Sequence, residues 1–249
     1  MFSLHLPACM RQREQGFTLV EIMVAMAIGM LGIVIIMQMS LTFEGQKRTT
    51  TGGDDALNAG AIALYGLEQN IQQAGYCFSP TPPTLSGATL APVTINLTAI
   101  NSLKDANTDT IMVAYGNDAC QPVSASGVAA AATLNVLAYA VINGNLMQCD
   151  YLANNCANAP SWVQIASGFV SMKAECSGSQ GVRVALVTRS SQLEKTAVTA
   201  AVPAWSGTGA IVLPTTGYDA GFGWQNYRYK TFETVVPIRN TLWSGAQGC

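Results

Sequence analysis

The stretch Gly16–Phe43, GFTLVEIMVAMAIGMLGIVIIMQMSLTF, restricts this chain more than any other feature. From Phe17 to Phe43 there are 27 residues and one charge, Glu21. As a helix rising ~1.5 Å per residue, this run spans about 40 Å. A bilayer's hydrocarbon core is about 30 Å thick. A short polar segment with Arg11, Arg13, Glu14 and Gln15 precedes it and ends at Gly16. A secretory signal has an apolar core of roughly 7 to 15 residues followed by a small-residue cleavage site. Here the run is too long, and no such exit follows. A plain membrane anchor explains the length but not Glu21. A carboxylate at the bilayer centre costs about 2.5–3.5 kcal/mol on insertion scales. One turn from the start of the helix, Glu21 can lie nearer the headgroups at lower cost.

Beyond the apolar run the pattern changes. Residues 44–53, EGQKRTTTGG, form a polar junction rich in helix breakers, where the helix is expected to kink or fray. A restart is expected at Asp54 or Asp55, both good N-cap residues. Leu57, Leu64 and Ile71 then recur every seven, with Ala61, Leu67 and Ala74 between them. This is one apolar stripe for packing on the chain's own domain. Gly60 and Gly66 weaken the helix by up to ~1 kcal/mol each relative to Ala, and Gly75 is a natural stop. Small residues Ala25, Gly29 and Gly32 sit in the apolar half, where such residues let helices approach closely.

After Gly75 the chain reads as β-rich. Pro80, Pro82, Pro83 and Pro92 make 78–92 a loop. Strands are expected at 109–116, 134–142, 168–176, 181–190 and 227–238. Asn143-Gly144 turns 134–142 back into Leu146–Cys149 as a hairpin. Residues 123–133 are low in complexity and read as exposed. Residues 203–224 form a Pro/Gly-rich loop that carries Trp205 and Trp224. Pro237 marks a strand edge or terminus.

The order Gly16-Phe17-Thr18-Leu19-Val20-Glu21, behind a basic leader and before a long apolar helix, resembles the type III signal of type IV pilins and pseudopilins. The resemblance implies cleavage by a prepilin peptidase between Gly16 and Phe17 and N-methylation of Phe17. It makes Glu21 the acid that docks the subunit into a filament. The physics agrees: a buried carboxylate is stabilised by a cation, and a neighbouring subunit's N-terminal amine is one. It also implies an α+β, pilin-like fold with a long N-terminal helix, its first half transmembrane, packed on an antiparallel β-sheet. The organisation expected is a cleaved leader at 1–16, an apolar transmembrane or filament-core helix at 17–43, an amphipathic continuation at 44–76 and a β-rich periplasmic or extracellular domain at 77–249. Within the family, Ile71–Tyr76, Asp109–Ile111 leading into Tyr115-Gly116, Val182–Ser190, and Tyr227–Lys230 with Val235–Asn240 resemble PilW-type minor pilins. That resemblance implies a subunit that primes type IV pilus assembly and enters the pilus at its tip, supporting motility and adhesion. Its implied partners are other minor pilins, the major pilin, a tip adhesin, the prepilin peptidase and the inner-membrane assembly machinery. Its implied location is the inner membrane with the C-terminal domain in the periplasm, then the pilus. Major pilins commonly carry a Pro in the apolar helix; this chain has none there.

Removing 1–16 leaves ten Lys+Arg and thirteen Asp+Glu, a net charge of −3. Nothing in that balance makes an electrostatic funnel for nucleic acid. It also removes Cys9 and leaves six cysteines: Cys77, Cys120, Cys149, Cys156, Cys176 and Cys249. An even number beyond the anchor suits a disulfide framework in an oxidising compartment. Six cysteines allow 15 connectivities, of which a local Cys149–Cys156 loop is the one pairing anticipated. Positive residues flank both sides of the anchor, Arg11 and Arg13 before it and Lys47 and Arg48 after it. The positive-inside count is therefore a tie, and orientation rests on the cysteines and the resemblance.

Other classes fare worse. The only His is His5, in the leader, so Ser-His-Asp and Cys-His catalysis are excluded from the processed chain. No phosphate-binding Gly loop is present, and the cysteine spacing is not that of a zinc site. No enzyme activity, cofactor or metal is expected. The J-type minor pseudopilin of a type II secretion system shares signal and anchor and is the main alternative. A DNA-uptake pilin is a weaker one, resting on Arg228, Lys230 and Arg239.

Overall fold

One helix, α1 (Leu19–Gln73), dominates the first part of the chain. The computed structural model describes residues 16–78, 84–85, 88–100, 102–116, 134–240 and 249. The leader up to Gln15, Cys120 and the low-complexity stretch at 123–133 lie outside them, as do Pro80, Pro82 and Pro83. The chain divides into two compact units, Met1–Arg48 and Thr49–Cys249.

The expected break at 44–53 does not occur: the helix continues through Glu44–Gly53. Carrying a helix across Gly52 and Gly53 costs about 1 kcal/mol each relative to Ala. Stopping and restarting would require a second unfavourable nucleation. Asp54 and Asp55 are therefore exposed mid-helix residues and cap nothing.

In the second unit the buried face of α1 comprises Gly52, Ala56, Gly60, Ala63, Leu67, Ile71 and Ala74. Steps of three and four keep these positions on one side. The heptad expectation is correct for Leu67, Ile71 and Ala74 and fails further upstream. Leu64 is only half-buried, Ala61 is exposed and Leu57 is 40% exposed. Small residues take the inner face because the helix comes close to the strands. A Cβ on Gly60 would overlap the ring of Phe232. The hydroxyl of Thr188 donates to the Ala56 carbonyl at 3.2 Å. The helix stops at Gln73. Gly75, with φ +75°, takes the left-handed conformation that commonly ends helices, and its N–H donates to Ala114 O at 2.9 Å. The side-chain amide of Asn240 lies 3.3–3.4 Å from the carbonyls of Gln72, Gln73 and Ala74, so the end of the β-domain caps the end of α1.

Two short strands, β1 (Thr84–Leu85) and β2 (Ala88–Thr89), pair with each other. The main antiparallel sheet runs β3 (Val93–Ile95), β4 (Ile111–Gly116), β5 (Leu134–Ile142), β6 (Asn145–Asp150), β7 (Val163–Ser167), in spatial as in chain order. A second has β9 (Gly181–Arg189) between β8 (Phe169–Cys176) and β10 (Tyr229–Pro237). The fold is α+β, a long N-terminal helix packed on antiparallel sheets. Besides the short β1–β2 pair, two sheets stand where the sequence suggested one; β3 and β7 are additions, and β1 and β2 fall within the stretch 78–92 that was expected to be loop. β7 has no buried face to give it an alternating pattern.

The two sheets meet at a seam. Gly168, φ +81°, carries the chain from β7 into β8. Its N–H and that of Phe169 both donate to Gly144 O at 3.0 Å. Gly144 belongs to the β5–β6 turn, where Asn143 and Gly144 both have positive φ. The two oxygens of Asp105 accept the N–H groups of Asn143 and Gly144, each at 2.8 Å. Asp109 makes a second tie. Its N–H donates to Met172 O at 2.8 Å, and its carboxylate accepts the Ala174 N–H at 3.0 Å. The principal core lies between the helix face and both sheets, with Ile111, Tyr139, Leu146, Phe169, Met172 and Leu186 essentially inaccessible. Full burial of such side chains contributes about 1.5–3 kcal/mol each.

Between β9 and β10 a long loop is held by charge. The carboxylate of Glu175 accepts the N–H of Thr208 at 2.8 Å and its hydroxyl at 2.7 Å. Arg183 bonds Glu175 at 2.8 Å and the Ser206 carbonyl at 3.2 Å. Glu233 accepts the Ser206 N–H. The Thr208 backbone N–H, then its hydroxyl, then Arg183 hold the Glu175 carboxyl below the usual carboxylate range. Nearby, burial and the hydrogen bond with Tyr218 push the Tyr229 hydroxyl far above the ordinary tyrosine range.

Gly60→Ala should destabilise the protein by about 1–3 kcal/mol, because overpacking outweighs the better helix propensity. Gly66→Ala, with nothing within 4 Å of the added Cβ, should stabilise it by up to ~1 kcal/mol. Denaturant melts of both variants check the pair. Because folding lowers the Glu175 pKa, its contribution is complete above the unfolded value and is lost as the pH falls through the folded one. Acidification should release the 205–209 segment, read as a change in Trp205 fluorescence, and Glu175→Gln should remove that transition.

Candidate functional site at the head of the helix

The first turn of α1 is built by Thr18. Its carbonyl accepts the N–H of Glu21 at 3.1 Å and of Ile22 at 3.3 Å. Its hydroxyl also accepts the Glu21 N–H, at 3.3 Å. Thr18 is thus the N-cap and Glu21 the third helical residue, the spacing of a capping box. Sequence reasoning missed Thr18, although Thr-x-x-Glu ahead of an apolar run is a recognisable start signal. An acid in the first turn also complements the positive end of the helix dipole.

Glu21 is exposed and its carboxylate has no side-chain partner among the described residues. It shares a recess of about 430 Å³ with Phe17, Ile22, Ala25 and Met26. Phe17, which precedes the helix, is 79% exposed. Helical spacing aligns Glu21 with Ala25, Gly29 and Gly32. A Cβ added at either glycine would meet nothing within 4 Å. The acid therefore heads a stripe of small residues along which another helix can approach closely. The large apolar side chains of this segment are open on every side, including Leu19 at 75%, Met30 at 69% and Phe43 at 69%.

The cysteines lie in the other unit. Cys149 pairs with Cys156, seven residues on, and Cys176 pairs with Cys249, 73 residues on. Cys77 is also disulfide-bonded. Trp162 Nε1 donates to Cys156 O at 2.9 Å and braces the small loop. The structure does not gather Arg228, Lys230 and Arg239 into one free cluster. Arg228 precedes β10 and pairs with Glu194 at 3.2 Å, Lys230 lies in the strand, and Arg239 lies beyond its end. Among the described residues no group of three His, Cys, Asp or Glu is placed to hold a metal ion.

Residues 11–37 match the family described as the prokaryotic N-terminal methylation motif. No curated protein matches the chain. A type IV-like pilin from Thermus thermophilus is similar in structure, at 10% identity and a TM-score of 0.41, over 74% of this chain and 96% of that one. Identity and score are too low for that likeness to bear on function. The chain thus carries the prokaryotic N-terminal methylation motif at the head of a long apolar helix that ends on antiparallel sheets.

Thr18→Ala should cost about 1 kcal/mol of first-turn stability. In detergent micelles this should appear as amide exchange at Glu21 and Ile22 that is several-fold faster, with exchange in the β-domain unchanged.

Proposed function

We propose that this chain is a minor pilin of the PilW type that primes type IV pilus assembly and enters the filament, at or near its tip. The observation that carries the reading is the matched motif with its geometry: an unpaired Glu21 at the head of a small-residue stripe on a fully exposed apolar helix. In this reading a prepilin peptidase cleaves between Gly16 and Phe17, and Phe17 is N-methylated. The Phe17–Phe43 helix is held in the inner membrane until assembly. Glu21 then accepts a neighbouring subunit's N-terminal amine, setting the axial register, while the small residues allow the helices to close. The C-terminal unit lies in the periplasm, a placement supported by its disulfides, which persist in oxidising compartments. It supplies lateral contacts to the major pilin, to other minor pilins and to a tip adhesin.

Gene deletion should abolish surface pili and twitching and leave type II secretion intact; intact pili with failed secretion would instead assign a J-type pseudopilin. In the complemented strain, Glu21→Ala should remain membrane-inserted yet fall at least about tenfold in sheared pili. Gly16→Leu should block processing, visible as retention of the leader mass. Undiminished recovery of Glu21→Ala in pili would remove the docking role.

A further inference from the structure

The β5–β6 turn, the β7–β8 switch and residues 212–217 of the long loop enclose a cavity of about 460 Å³. That is within the roughly 300–1,000 Å³ of small-molecule sites. The apolar residues Val170, Val212 and Pro214 line it together with the amide and hydroxyl residues Asn107, Asn143, Thr215 and Thr216. The formal charges among the described lining residues are Asp105 and Arg189, and they are not equivalent. Both oxygens of Asp105 accept backbone N–H groups of the turn at 2.8 Å, which holds its carboxylate against that turn. The Arg189 guanidinium lies 5.2 Å from the Tyr218 ring centroid and 4.6 Å from that of Tyr227. Its Nη1 donates to Gly217 O at 3.2 Å, a bond that uses one of its five N–H donors. The ion pairs among the described residues involve Lys173, Arg183 and Arg228. Arg189 is thus a cation held over aromatic faces, on the cavity lining, with no ion-pair partner among the described residues.

We propose that this cavity binds a small organic carboxylate carrying hydroxyl or amide groups. Arg189 takes the carboxylate through its planar fork, the geometry for which Arg is suited, and the Asn and Thr side chains take the polar groups. With Asp105 also on the lining, the formal charges of the cavity cancel before a ligand enters, which disfavours a doubly charged phosphate more than a singly charged carboxylate. The apolar lining residues account for the ligand's carbon face.

The test is calorimetric titration of the full-length protein in detergent micelles with glucuronate, glucose and inorganic phosphate as probes. Glucuronate should bind saturably, and glucose, which lacks the carboxylate, roughly tenfold or more weaker. Arg189→Gln should weaken glucuronate to the same degree. Because Arg189 also braces the Tyr218 segment, Val212→Trp is the second variant. Val212 is 43% exposed, so a larger side chain there narrows the cavity at little cost to the core, and it should abolish binding with an unchanged melting curve. Absence of glucuronate binding, equal affinity for glucose, preference for phosphate, or binding that survives Val212→Trp would each overturn the proposal.

Discussion

A helix that leaves its apolar side chains bare from Phe17 to Phe43 cannot remain in water. Each Å² of that surface is worth about 25 cal/mol when removed from water, and this sum fixes where the segment can reside. It does not fix which helix it pairs with. Lipid tails are as apolar as Leu, so the hydrophobic term is nearly equal in a bilayer and beside another such helix. Selection must come from the features that are not bulk hydrophobic: the small-residue stripe of Ala25, Gly29 and Gly32, and the single carboxylate of Glu21. Close packing rewards a matched groove, and an unpaired carboxylate penalises every arrangement that fails to supply a cation. The proposed docking of Glu21 on a subunit amine follows from these two terms.

The downstream part of α1 shows small residues used in the same way, here with the partner present. Gly52, Ala56, Gly60 and Ala63, all within the second unit, form its buried helix face, and Gly60 accommodates the ring of Phe232. Such an approach lets a strand hydroxyl, Thr188, reach a helix carbonyl. One helix thus carries two small-residue faces. The face near the β-domain is filled within the chain, whereas the face near Glu21 is open among the described residues.

Much of this was legible in the sequence, for identifiable reasons. The apolar run is an extreme of composition, and Gly16-Phe17 with Glu21 is a motif of fixed spacing. Asn143-Gly144 names its own turn, and the local Cys149–Cys156 pairing needs only a short loop. The failures share a cause: the deciding contacts are long-range. Gly52 and Gly53 read as breakers because propensity is local, yet α1 continues and Gly52 packs on Gln192. Leu57 reads as core because it is large, yet proximity to Phe232 favours Ala and Gly on the inner face. β7 has no alternation to detect, since every residue on it is exposed or half-buried. The cavity beside Arg189 was invisible because it joins residues 105–107, 143–144, 168–170 and 212–217, which only the seam between the sheets brings together.

The same long-range ties bear on how the proposed transfer from membrane to filament could leave the β-domain intact. A force drawn through α1 meets the domain along the face from Gly52 to Ile71 and ends at residues 72–74. There the carbonyls are held by Asn240, which closely follows β10, and Gly75 is bonded to Ala114 in β4. The load is thus shared between the two sheets rather than passed to one loop. Cys176–Cys249 then ties the end of β8 to the C-terminus, and Asp109 and Gly168 tie the sheets at their seam. Loops as long as that between β9 and β10 would be the weak points of such a unit. Glu175, Glu233 and Arg183 fix part of that loop. Stiffness here has a functional consequence under the proposed role. A subunit that sets the first register of a filament has to present its lateral surface in one conformation, because a surface that fluctuates loses binding free energy to ordering before it gains any from contact.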